Sequence, residues 1–358
     1  MSQTPLSLSC IVWLLLLATP ALAVPQAKSQ SVARQNENQN QSQNQSGGQD
    51  QLSGQHQPSG DENPTFKVNV KLVSVFATVT DANGAPVTGL RKEDFELRED
   101  DAKQKIAVFE QQSELPLSIV MELDTSGSVR KDFQLEVDSA RRFISSILRP
   151  QDRLSLLEVS EIVEEVVPFT SNPQTIARGI KKIHLGAGTA LYDAIYLGGE
   201  SLIARQGRKV MVLITDGGDT MSKTDYHMAV RAAQQAEAIV YSIIVVPIAA
   251  SAGRNTGGEH ALIQLSEDTG GKHYYADNIN SLNRAFQQIS RELRTQYLLG
   301  YYPSQRIADS DFRRLEIKLK RSGDPVRGSD GTSDSGDARP SDYKVHHRTG
   351  YYTSKLGF

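Results

Sequence analysis

The chain has 358 residues, 38% of them hydrophobic and 23% charged, with a formal net charge of −3. That length allows one to three domains. The charge is too near neutral for a nucleic-acid binder or a protein held on an acidic membrane, and with Cys10 as the only cysteine there is no disulfide framework.

Residues 11–17 are an apolar core and Ala21-Leu22-Ala23 is an A-x-A cleavage site, so residues 1–23 read as a secretory signal peptide, although no Lys or Arg precedes the core. The alternative, an uncleaved anchor, meets the difficulty that the apolar run is short for a bilayer. Cys10 precedes the core, which argues against a lipoprotein site, and the mature chain then holds no cysteine and depends on no disulfide. The expected location is extracytoplasmic, in the periplasm or outside the cell, with no transmembrane span in the mature chain. Residues 24–63 are dominated by Gln, Asn, Ser and Gly. They hold too few apolar side chains to offset the entropy of ordering, and are expected to form a disordered tether.

Residues 64–113 change character. Val68, Val70, Leu72 and Val75 open an alternating pattern, and Asp81-Ala-Asn-Gly-Ala-Pro reads as a turn. Residues 93–100 and 105–110 give two more short strands, so the segment is read as a small β module. The acidic run Glu99-Asp100-Asp101 lacks the spacing of a calcium loop and is expected to be a solvated turn.

Residues 114–300 alternate strands and helices. Residues 119–123 are apolar apart from Glu122 and fit a buried strand of a parallel sheet. Asp124, Ser126 and Ser128 follow on alternate positions. One carboxylate and two hydroxyls so close together can converge on a hard cation; alone, the same residues would only turn the chain and cap a helix. Phe133, Val137, Ala140, Ile144 and Ile147 recur at helical spacing. Residues 154–159 and 162–169 form a hairpin with an edge strand, and Asn172-Pro173 starts a helix expected to reach 183. Gly186-Ala-Gly-Thr-Ala-Leu-Tyr-Asp193 is a glycine-rich loop delivering Thr189 at a helix start. Residues 208–215 form a central strand that ends at Asp216 and a Gly-Gly turn. Helices at 224–238, 259–268 and 279–294 alternate with strands at 239–246 and 272–275. The fold class is therefore α/β, a doubly wound, mostly parallel sheet flanked by helices.

Residues 301–358 close the chain. Leu315, Ile317 and Leu319 alternate with charged residues as a strand, 324–341 is a Gly/Ser/Asp-rich loop expected to be disordered, and 342–352 returns as one strand. The two flanks are expected to pair into a β-sandwich-like module.

The Asp124 loop, Thr189 and Thr215-Asp216-Gly217 together resemble the metal-ion-dependent adhesion site of a von Willebrand factor type A domain, matched at Asp124, Ser126, Ser128, Thr189 and Asp216. The phrase V-T-G-L-R-K-E-D-F-E-L-R-E-D further resembles the β module of a bacterial, secreted family with this domain. The resemblance implies a Mg2+ ion (Mn2+ or Ca2+ as alternatives) on those five residues, two of them through water. It also implies a position left open for a Glu or Asp carboxylate of a partner protein, and a binding module rather than an enzyme. Two other classes stand beside it. A phosphatase with Asp124 as nucleophile would need a second acid two positions along and a lysine, whereas Ser126 stands there and Glu122 lies upstream; no H-E-x-x-H or G-x-S-x-G occurs. A purely structural envelope protein would use the metal for stability alone.

Overall fold

The computed structural model describes residues 72–111, 114–126, 133–246, 255–304, 312–320 and 343–353, with the side chains of 133–136 left aside. The expectations for the signal peptide, the tether, Val68, Val70, Ser128 and the loop 324–341 fall outside these residues.

Strand β1 (Val73–Thr80) turns Val73, Val75, Ala77 and Val79 inward, the period-2 pattern of a half-buried strand. Asp81 Oδ1 accepts the backbone N–H groups of Asn83 and Ala85 and makes the expected turn. Then come β2 (Phe95–Glu99), β3 (Ala102–Gln104) and β4 (Ile106–Gln111). β3 was not expected from the sequence. Asp100 and Asp101 adopt φ of 44° and 67°, left-handed values that Asp tolerates, and so fold the acidic run into a tight hairpin turn. Asp100 there pairs with Arg313 at 2.7 Å.

The central sheet is built from β5 (Leu117–Asp124), β6 (Arg153–Val159), β7 (Val163–Thr170), β8 (Arg208–Thr215), β9 (Ile239–Val245) and β10 (His273–Ala276), in the order β10-β9-β8-β5-β6-β7. All neighbours are parallel except β6 and β7, so β7 is the antiparallel edge expected from the hairpin. Every residue of β5 is buried, as a strand covered on both faces requires. One face packs against α1 (Phe133–Ile147), α2 (Pro173–Ile180) and α6 (Ile279–Arg294), where Phe143 and Phe286 stack with ring centroids 4.5 Å apart. The other packs against α3 (Leu191–Ile203), α4 (Tyr226–Gln235) and α5 (Thr256–Asp268). Asn172 caps α2 as expected, accepting from the N–H groups of Gln174 and Thr175, but the helix ends at Ile180 rather than 183. None of the helices among the described residues is long and apolar enough to cross a membrane.

After α6 the chain leaves the α/β layers through β11 (Tyr297–Tyr301), followed by β12 (Phe312–Leu319), β13 (Lys344–His347) and β14 (Gly350–Tyr352). Two four-stranded sheets result, β13-β1-β11-β4 and β14-β12-β2-β3. They share one apolar core containing Val75, Ala77, Leu97, Leu299 and Ile317, with Phe95, Phe109 and Tyr297 in mutual ring contact. Segments from before and after the α/β layers therefore build a common sandwich. The single strand expected for 342–352 is corrected to two strands in two sheets. Arg348 breaks it, reaching the Ser74 carbonyl at 2.9 Å and the Glu237 carboxylate at 3.4 Å, while the Thr349 N–H donates to Asp268 O.

Candidate metal centre

The crest of the sheet, at the carboxyl ends of β5, β6 and β8, gathers the residues singled out in the sequence. In open α/β sheets this is where ligands bind. Asp124 is the last residue of β5, paired with Val159 of β6, and is only 3% exposed. Its Oδ2 accepts a 2.6 Å hydrogen bond from the Thr215 hydroxyl at the end of β8. Its Oδ1 accepts from the Ser126 N–H at 2.9 Å and from the Thr189 hydroxyl at 3.5 Å. Burial pushes the Asp124 carboxyl above the usual aspartate range; the Thr215 and Ser126 hydrogen bonds pull it back, and the neighbouring Asp216 charge raises it further.

Ser126 and Thr189 are both buried. Thr189 does not cap α3, whose N-cap is Ala190 with no side-chain cap bond; its hydroxyl is spent on Asp124 instead. Asp216 lies one residue past β8 and is half-buried. Its Oδ1 accepts from Gly218 N–H at 3.0 Å, so it also forms the turn, and its other carboxylate oxygen remains as a donor to a cation. Gly217 has a φ of +85° and its backbone lies against Gly258 of α5, so only glycine turns the chain this sharply here. Asp124, Ser126, Thr189 and Asp216 thus come together; Ser128 lies outside the described residues. The set is two carboxylates and two hydroxyls, all hard oxygen donors, and its chemistry fits Mg2+.

Three positioning groups were not anticipated. Thr215 orients Asp124 and also accepts from Gly217 N–H at 3.0 Å. Thr220 holds the Thr189 loop: its Oγ1 accepts from Thr189 N–H at 3.0 Å, while its own N–H donates to Thr189 O. Glu161, at the β6–β7 tip, accepts from Ala187 N–H at 2.7 Å, and hydrogen bonds to its own backbone and to Ala187 hold its carboxyl below the usual range. The run Thr215-Asp216-Gly-Gly-Asp-Thr220 carried a local signal for the first two; Glu161 carried none.

Residues 118–289 match the family model of the von Willebrand factor type A domain. The match runs from β5 into α6, the α/β layers of the fold. Solved structures similar to the chain include BatB from Bacteroides thetaiotaomicron, 19% identical with a TM-score of 0.41, covering 50% of this chain and 100% of that one. The vWF domain of the type V pili tip protein Mfa5 from Porphyromonas gingivalis is 12% identical, with a TM-score of 0.41 and coverages of 49% and 94%. A von Willebrand factor type A protein from Catenulispora acidiphila is 12% identical, with a TM-score of 0.44, covering 72% of each chain. Comparison with curated proteins returns no match. On β5 the Glu122 carboxyl lies two residues before Asp124. It is 1% exposed, no hydrogen-bond partner meets either oxygen, and burial pushes its pKa well up.

Proposed function

We propose that the crest of the type A domain holds a Mg2+ ion on Asp124, Ser126, Ser128, Thr189 and Asp216, and that this ion takes a Glu or Asp carboxylate from a partner protein, making the chain a metal-dependent adhesion module. The carrying observation is the convergence of the Thr189 and Thr215 hydroxyls and the Ser126 N–H on one buried carboxylate. A desolvated carboxylate beside a second one is costly, and a cation at this point offsets that cost. Few anionic ligands leave the ion electrophilic enough to attract an external carboxylate. The residues 11–17 and Ala21-Leu22-Ala23 support placing the protein outside the cytoplasm.

Binding rather than catalysis is favoured because the only other acid of the loop strand, Glu122, is sealed beneath the crest. Calorimetric titration with MgCl2 tests the reading. One saturable site is expected in the wild type and none in Asp124→Ala, with the unfolding midpoint rising in Mg2+ only for the wild type. Equal affinity in the variant removes Asp124 from the site, and metal-dependent phosphate release by the purified protein would move the function to the phosphatase class.

A further inference from the structure

Three loops interlock at the crest. The Ser160-Glu161-Ile162 tip joins β6 to β7. The loop before α3 contains Leu185 and Thr189. The loop after β8 contains Thr220 and Met221. They are tied to the metal centre by backbone hydrogen bonds: Thr125 N–H to Val159 O at 2.9 Å, Gly186 N–H to Thr125 O at 2.9 Å, Ala190 N–H to Ser160 O at 2.7 Å, and Met221 N–H to Thr189 O at 3.0 Å. They are also close-packed. A Cβ on Gly186 would stand 2.5 Å from Ser160 Cβ, and one on Gly188 would stand 2.7 Å from Met221 Cγ and 3.5 Å from Glu161 Cγ. Glycine at these two positions lets the loops close on one another.

Each loop puts a large apolar side chain into solvent: Ile162 is 75% exposed, Met221 49% and Leu185 38%. Single exposed apolar residues are ordinary, but three on adjoining loops around one polar site mark a contact surface. Among the described residues, these loops and strand ends carry Asp124, Glu161, Asp216 and Asp219, with Lys223 following in the chain. Such a crest repels a partner's acid until a divalent ion reverses the sign at the centre.

We infer that Ile162, Leu185 and Met221 form an apolar collar that selects a partner segment in which the metal-binding Asp or Glu is flanked by aliphatic side chains. This rests on the proposed metal reading. The acid supplies affinity through the ion; the flanking side chains supply selectivity by leaving water on the collar. Glu161, by fixing Ala187, keeps the Thr189 loop and the tip in one arrangement, so the collar is preformed.

The test uses MgCl2 alone and two short capped peptides, one with an aspartate between two leucines, the other with the same aspartate between two serines. Wild type in Mg2+ should bind the leucine peptide about tenfold tighter, the worth of one partly buried aliphatic side chain, and neither peptide in chelator. In the Ile162→Ser/Met221→Ser double variant the preference should fall within about twofold while Mg2+ affinity stays unchanged. A Leu197→Ser/Met228→Ser control, at exposed apolar residues on α3 and α4, should keep the preference. With Mg2+ bound, equal affinity for both peptides, capture of neither, or a preference that survives the double variant overturns the collar and leaves the metal site standing. Absence of Mg2+ uptake in the peptide-free titration overturns the metal reading, and the collar with it.

Discussion

At Asp124 the balance of effects is set by desolvation against donors. The Thr215 hydroxyl is the shortest of its donors at 2.6 Å and also accepts from Gly217 N–H. Thr215→Val keeps the shape and leaves both groups short of a partner. In chelator it should cost about 1–3 kcal/mol of unfolding free energy, the worth of a buried unsatisfied polar group. Mg2+ affinity should fall about tenfold, the typical loss when an outer-shell partner of a ligand is removed. Denaturant unfolding and calorimetry measure the two separately. Glu122 presents the opposite case, a buried carboxyl without a partner whose pKa is raised by desolvation. A carboxyl with a raised folded pKa contributes fully below its unfolded value and loses that contribution as pH rises towards the folded one. Glu122→Gln should therefore match the wild type in stability near pH 4 and exceed it at pH 8, measured in chelator. A wild type that is the more stable at pH 8 would mean the carboxylate is charged and compensated there.

Helices α3 and α4 meet through small residues. A Cβ on Gly199 would stand 2.8 Å from the Ala232 carbonyl carbon and 2.9 Å from its oxygen, backbone atoms that cannot swing away. Gly199→Ala gains about 1 kcal/mol of helix propensity but loses about 1–3 kcal/mol to overpacking, so the net effect should be a lower melting temperature. The displacement should also loosen α3, which follows directly on the Thr189 loop, so Mg2+ affinity is expected to weaken with it. Thermal unfolding with and without Mg2+ checks both. The central strands β5, β8 and β9 are instead buried almost throughout, between helices on both faces.

The sandwich and the α/β layers are joined by a buried polar seam. Arg208, at the foot of β8, is 2% exposed and donates to Leu293 O and, at 3.3 Å, to Gln296 Oε1; burial pulls its pKa down to about 10. Glu292 on α6 pairs with Lys272 at 2.6 Å and accepts from the Tyr274 hydroxyl at 2.9 Å. Gln296 reaches Thr78 of β1 at 3.5 Å. Nearby, His346 of β13 lies 3.4 Å from Thr80 Oγ1. Burial first, and then Lys272, Lys344 and His347, push its pKa down to about 3. A histidine depressed in this way costs nothing above its unfolded value near 6.5. As pH falls below that value the unfolded chain takes up a proton that the folded chain refuses, and stability is lost down to about pH 3. The raised carboxyls Glu158, Asp268 and Glu292 act in the opposite sense, so the readout is a difference. His346→Asn should narrow its stability gap to the wild type between pH 7 and pH 4.5, measured by urea unfolding at each pH. A gap independent of pH would show that His346 titrates normally in the folded protein.

Much of this was legible in the chain alone, wherever the signal was local. Period-2 alternation located β1 and β12, 3.6-residue spacing located α1 and α6, and Asn172-Pro173 located the start of α2. The spacing of Asp124, Ser126, Thr189 and Asp216 with their strand ends marked the crest. What the tertiary structure alone decided was long-range. Thr215 and Asp124 are 91 residues apart, Gln296 and Thr78 218 apart, and no periodicity relates such positions. Nothing local told that Thr189 would spend its hydroxyl on Asp124 rather than on its own helix. Nor did it tell that Arg348 would split one strand into two sheets to reach Ser74 and Glu237, or that Ile162, Leu185 and Met221 would stand on adjoining loops. Hydrophobic pattern and capping act over a few residues and determine elements; which side chains of different elements meet is determined by the order in which those elements pack.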